Sequence, residues 1–185
     1  IHKRKGFPCG LYQIKMDKWD DAVKIYLDGN LIFDRNGYNG NANEIVHPEL
    51  PGYYLNADSR MEVRLREGGG DAYVKMTLTD KPSVFNGTWS TTPDNTSIRI
   101  ESDFVLNTNL NVCSCTVKAG KKLTIEPNAA LNVLENVVVE ATGTILVKNT
   151  GSLVQIKDNA TFTGNADSFT MERNTTPMII YDFTY

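Results

Sequence analysis

The chain has 185 residues, 41% hydrophobic and 22% charged, proportions that exclude wholesale disorder and allow one large domain or two small ones. A net charge of −3 excludes the broadly basic surface of a nucleic-acid binder, and no apolar run approaches the ~20 residues that span a bilayer. The sequence opens at Ile1 without Met and stops in an aromatic-rich run from Ile179 to Tyr185, so both ends read as cuts in a longer polypeptide. The basic run His2-Lys3-Arg4-Lys5 reads as a solvated end rather than a nucleic-acid arm.

From about Lys15 to Thr79 the pattern predicts strands separated by Gly, Asn and Asp turns. Val23 to Leu27 alternates, Asp28-Gly29-Asn30 turns, and Leu31-Ile32-Phe33 returns, the strongest short-range hairpin signal in the chain. A second hairpin is expected from Met61–Arg66 and Ala72–Leu78, with Glu67-Gly68-Gly69-Gly70-Asp71 as its connection. No Lys-Ser/Thr follows those glycines, so they do not make a phosphate loop. Met61, Val63 and Leu65 alternate with Glu62, Arg64 and Arg66, as in a sheet with one buried and one wet face. Between the two pairs, Asn36 to Pro51 is too long and irregular for a turn, and such loops on β scaffolds often carry binding. The proline-containing stretch 81–95 reads as a linker.

Beyond Thr96 the grammar changes. Apolar doublets recur at Cys115/Val117, Leu123/Ile125, Leu131/Val133, Val137/Val139 and Ile145/Val147, their first members 8, 8, 6 and 8 residues apart. Three steps make 22, and Cys115 to Val137, Leu123 to Ile145 and Leu131 to Leu153 each span that distance. This is the spacing of stacked coils with three short strands each. The competing reading is a sandwich with strands every eight residues; the regular spacing favours the solenoid.

Cys113 and Cys115 share a strand face and rarely bridge each other, and a Cys9 bridge to either leaves an odd thiol. Zinc would need a second close ligand pair, while His2 and His47 are isolated. The three cysteines read as small buried apolar residues. No nucleophile elbow or Ser-His-Asp arrangement accompanies His47, so no catalytic residues are assigned.

The most suggestive cluster is Trp19-Asp20-Asp21 at the start of a strand. Adjacent carboxylates repel unless a cation or hydrogen-bond donors offset them. Asp20, Asp21, Asn36 and Asn39, with loop carbonyls, supply oxygens of the kind calcium prefers; Asp20, Asp21 and Asn39 are the metal candidates. The plainer alternative is a pair of exposed aspartates making turn hydrogen bonds. Trp19, Tyr38 and Tyr53, with Tyr54, are candidate sugar-stacking rings, although aromatics equally fill β cores.

The run Asp20 to Gly29, then Leu50-Pro51-Gly52-Tyr53, then Arg66 to Ala72 resembles the protective-antigen and flocculin lectin-like domain family over roughly residues 17 to 79. In its sugar-binding members an Asp-Asp pair holds calcium, which holds a glycan. The resemblance therefore implies Asp20 and Asp21 as calcium ligands, with Ala22 where the family has Gly. In the second half, Gly87-Thr88-Trp89-Ser90, Val117 to Ile125 and Gly151 to Ile156 resemble segments of large secreted Bacteroidota proteins, and the tail from Met171 resembles their region just after the solenoid. That likeness implies export by the type IX route, through an outer-membrane machinery, and service as a surface or gliding-motility adhesin.

The expected architecture is all-β: an antiparallel β-sandwich over 1–80, a linker over 81–95, a short right-handed parallel β-solenoid (β-helix) over 96–176, and the start of a further segment over 177–185. The expected function is a non-enzymatic, secreted or cell-surface adhesin that binds a surface glycan or extracellular polysaccharide through a calcium-organised loop. The alternatives are a structural stalk without a ligand of its own, and an accessory module of a polysaccharide-degrading enzyme.

Overall fold

The computed structural model describes residues 1–38 and 52–175. Every regular element among them is a β-strand, and the chain divides into two compact units, Ile1–Pro82 and Ser83–Tyr185. The expected segment 177–185 and most of the loop 36–51 lie outside the described residues.

The first unit contains β1 (His2–Lys5), β2 (Gly10–Trp19), β3 (Ala22–Leu27), β4 (Asn30–Asn36), β5 (Tyr53–Leu55), β6 (Arg60–Arg66) and β7 (Val74–Asp80). They form two antiparallel sheets, ordered β1-β6-β3-β4 and β5-β2-β7. Both sheets fill one apolar core, with Ile14 and Met16 from β2, Val23 and Ile25 from β3, Leu55 from β5 and Val63 from β6. This is the sandwich that the alternation predicts. A bulge between Met16 and Lys18 shifts the phase of β2 by one residue, which turns Trp19 inward, where it is 5% exposed.

Asp28-Gly29 closes the β3–β4 hairpin with φ of 50° and 85°, the two left-handed residues that a type I′ turn requires. The second expected hairpin does not form. β6 pairs with β1 and β3 while β7 pairs with β2, so residues 67–71 carry the chain from one sheet to the other. Alternation buries Met61 and Val63 as expected but is silent on the strand partner. Gly69 and Gly70, at φ 147° and 107°, supply backbone conformations that let the connection leave the first sheet instead of folding back along it.

The second unit opens with β8 (Ser83–Phe85), inside the stretch expected as linker. One coil then comprises β9 (Ser97–Ile100), β10 (Phe104–Leu106) and β11 (Leu110–Val112). The next comprises β12 (Ser114–Val117), β13 (Lys122–Ile125) and β14 (Ala130–Val133), and a third β15 (Val137–Val139), β16 (Thr144–Val147) and β17 (Ser152–Gln155). β18 (Phe162–Thr163) and β19 (Phe169–Met171) begin a fourth. The strands stack into three parallel sheets, β8-β9-β12-β15-β18, β10-β13-β16-β19 and β11-β14-β17, which makes a β-solenoid.

Between the second and third coils the register places Cys115 on Val137, Leu123 on Ile145 and Leu131 on Leu153, the predicted pairs. The outer coils depart from that period. Ile98 lies on Cys115 and Val137 on Phe162, separations of 17 and 25 residues. Strand pairing stays in register while the turns absorb the change in length. All ten residues of the predicted doublets are buried. The turns stack as well: Gly120 and Thr142, then Asn128 and Thr150, are left-handed pairs 22 residues apart. At Gly143 and Gly151 a Cβ would lie 2.9 Å from the carbonyl oxygens of Lys118 and Glu126, so the neighbouring coil dictates glycine there. Outside the core, Lys118–Glu140 (2.5 Å), Lys157–Glu135 (2.7 Å) and Asn132 Nδ2 donating to Asn111 Oδ1 (2.9 Å) tie successive coils. Phe85, Trp89 and Phe104 pack with centroids 4.5–5.2 Å apart over the first coil. Cys115 is the free cysteine of the three, wholly buried, so the expectation of an inert apolar thiol applies to it. Burial pushes that thiol up to about 12.

Candidate functional site

Where β2 hands over to β3, the chain bends at Asp20-Asp21. The Asp20 N–H donates to the Tyr73 carbonyl at 2.9 Å, and its carboxylate Oδ1 accepts the Asp21 N–H at 2.9 Å. Asp21 Oδ2 accepts the backbone N–H of Gly68 across the gap between segments. A Cβ on Gly68 would sit 2.8 Å from that same oxygen, so glycine is what lets Asp21 reach the backbone. Glu67 Oε1 accepts the Gly69 N–H at 2.7 Å.

These contacts gather three carboxylates. Oxygens of Asp20, Asp21 and Glu67 all lie within 4.8 Å of one another, the two aspartates half-buried and Glu67 exposed. A shallow depression of about 340 Å³ adjoins them, lined by Asp21, Ala22, Asn36, Gly37, Arg66 and Gly68. Asn36 is therefore beside the cluster, as the sequence suggests, whereas Asn39 lies outside the described residues. Three hard oxygen donors on an open rim suit a divalent cation of the calcium or magnesium type and not a soft metal. Backbone N–H groups already offset part of their mutual repulsion, so the plainer reading, aspartates making turn hydrogen bonds, describes contacts that are present.

The candidate aromatics separate. Trp19 is a correction: its ring packs edge-on against Phe33 at 5.7 Å in the core, and its Nε1 donates to the Gly37 carbonyl at 2.9 Å. It anchors the start of the loop and offers no face to a sugar. Tyr38 is 66% exposed. It hydrogen-bonds Tyr73, which is pushed up to about 12 by that bond first, then by burial, with the Asp20 charge adding to both. Lys18 covers the Tyr73 ring at 4.9 Å. Tyr53 sits elsewhere, paired with Tyr12 near the opposite end of β2 from Trp19, roughly 24 Å away along the strand. Half-buried, it packs against the core, and burial raises its hydroxyl above the ordinary value.

Sequence reasoning missed Glu67 and Tyr73. The signal for Glu67 was the acidic residue directly ahead of three glycines, and reading 67–71 as a hairpin connection hid it. Tyr73 had no local signal, because only the pairing of β7 with β2 carries it to Asp20.

No curated protein and no solved structure matches the chain. The family described as a domain of unknown function (DUF8693) matches residues 80–185, which covers the solenoid and leaves the carboxylate cluster outside. That match spans more than half of the chain, and the chain belongs to this family.

Proposed function

We propose that the protein is a non-enzymatic, secreted or cell-surface adhesin module whose first unit binds a glycan through a calcium ion held by Asp20, Asp21 and Glu67. The observation that carries this reading is the convergence of three carboxylates from segments 46 residues apart, with the exposed Tyr38 hydrogen-bonded to Tyr73, whose carbonyl accepts the Asp20 N–H. Calcium takes six to eight oxygens, and a site that fills only part of its shell with protein leaves positions for the vicinal hydroxyls of a sugar. In this reading the exposed ring of Tyr38 stacks against the sugar. The resemblance to the lectin-like family supports the same assignment for the two aspartates. Export through the type IX route rests on the likeness of the second half to secreted Bacteroidota segments.

Calcium titration tests the reading. At a hundredfold excess over Kd, an ion that binds only the folded chain adds about 2.7 kcal/mol to stability. The parent chain is expected to melt several degrees higher in calcium, and Asp20→Ala plus Asp21→Ala to abolish that gain. Glu67→Gln should reduce it in part. An unchanged melting temperature at millimolar calcium would refute the site.

A second reading applies to the solenoid, which serves as a spacer presenting other parts of the protein. It is favoured by a core of stacked apolar ladders. A glycan array that stays blank with calcium bound would leave the spacer role to the whole chain.

A further inference from the structure

The basic run at the start of the chain, expected to be a solvated end, is strand β1 on the edge of the first sheet. Its register sets Lys3 opposite Glu62 and Lys5 opposite Arg60. A groove of about 880 Å³ lies over this pairing and the Asp28-Gly29 turn, at the far end of β3 from the carboxylate cluster. Five cationic side chains line it, against the carboxylates of Asp28 and Glu62, in a chain whose net charge is −3.

Both acids are already engaged. Asp28 Oδ1 accepts the Arg60 N–H at 2.7 Å, and Glu62 is bracketed by Lys3 at 3.2 Å and by Arg64. Arg4 donates to the Gly6 carbonyl at 3.2 Å and covers the Phe7 ring at 4.4 Å, which leaves Lys5 and Arg60. They face each other directly across the ladder, both exposed, with no carboxylate partner among the described residues. Like charges directly opposite on an antiparallel pair destabilise it. An anion between them is therefore attracted by both and displaces no existing ion pair.

We propose that this groove is a binding site for an acidic polysaccharide, a chain carrying carboxylate or sulfate groups, and that it operates independently of calcium. Single-stranded nucleic acid has similar charge but needs open aromatic faces for its bases. The lining offers one aromatic ring, Tyr26, and the Arg64 guanidinium already covers it at 4.4 Å.

The test is calorimetric titration of the whole chain, in EDTA, with dextran sulfate, polygalacturonate, neutral dextran and a single-stranded oligonucleotide. EDTA removes calcium, so failure of the calcium site cannot mimic failure of the groove. Salt-sensitive binding of at least one acidic polysaccharide is expected, with none of neutral dextran; the tighter of the two acidic polymers identifies sulfate or carboxylate as the preferred group. Lys5→Gln plus Arg60→Gln, which touches no ion pair, should weaken that binding at least tenfold. Lys5→Gln plus Arg60→Lys should recover part of the loss, and the charge-matched Lys121→Gln plus Lys122→Gln should leave affinity within twofold. Three results would overturn the proposal: no binding at low salt, unaltered affinity in the first double variant while its melting temperature stays at the parent value, or tighter binding of the oligonucleotide than of both acidic polysaccharides.

Discussion

The solenoid and the sandwich solve the same problem, burying one face of short strands, by opposite means. In the solenoid each strand lies on the equivalent strand of the next coil, and between the second and third coils one separation of 22 residues governs core pairs, turn residues and ion pairs alike. In the sandwich each partnership has its own separation: β3 meets its sequence neighbour, whereas β1 meets β6 and β2 meets β7 across most of the unit. Repetition makes a fold redundant and exacting at once. Every coil says the same thing, but no side chain can shift without breaking register with the coils on either side.

The largest expected effect tests that contrast directly. Ile125, flanked in its ladder by Leu106 and Val147, and Ile14 in the sandwich are both wholly buried. Ile125→Ala and Ile14→Ala should each cost about 2–5 kcal/mol in urea denaturation, and the solenoid variant should lie at the upper end because its neighbours are pinned in register. A larger loss for Ile14→Ala would break the comparison.

Glycines give the next contrast. Gly143→Ala forces a Cβ against three atoms within 3.1 Å, including two carbonyl oxygens, and should cost about 1–3 kcal/mol. At Gly29 nothing lies within 4 Å, and only its φ of 85° opposes a side chain, so Gly29→Ala should cost about 1 kcal/mol. Thermal melts of the two variants measure the difference between steric and conformational demand.

Titration should give the smallest effect. Glu140 is held below the ordinary carboxylate value of 4.5 chiefly by the hydrogen bond from Lys118, and Glu62 by those from Arg64 and Lys3. Their folded values are depressed, so the stability each contributes is present above 4.5 and lost as pH falls through the folded value. Glu140→Gln and Glu62→Gln should each slightly flatten the decline in urea midpoint between about pH 6 and about pH 3. Exposure of both pairs keeps the effect small. Equal flattening by the two variants would mean that a pair tying successive coils and one within a sheet carry similar weight.

Of the candidate site, Asp20 and Asp21 were legible because two adjacent acids before a strand are costly without donors or a cation. Glu67 was half-legible, visible as an acid before glycines but assigned to a hairpin. Trp19 was misread because a single bulge residue reverses the face of everything after it, and bulges leave no fixed mark in composition. Tyr53 looked equivalent to Tyr38, yet sequence proximity to the loop says nothing about which end of a ten-residue strand it joins.

What the sequence alone determined is the all-β class, the Asp-Gly hairpin and the central coils of the solenoid, since each follows from local conformational preference or from a spacing repeated along the chain. The tertiary structure decided which strands of the sandwich pair, the inward turn of Trp19, the meeting of Asp20, Asp21 and Glu67, and the like-charged pair of Lys5 and Arg60. Those depend on contacts between distant segments, and alternation fixes only the face a side chain takes, never the partner it finds there.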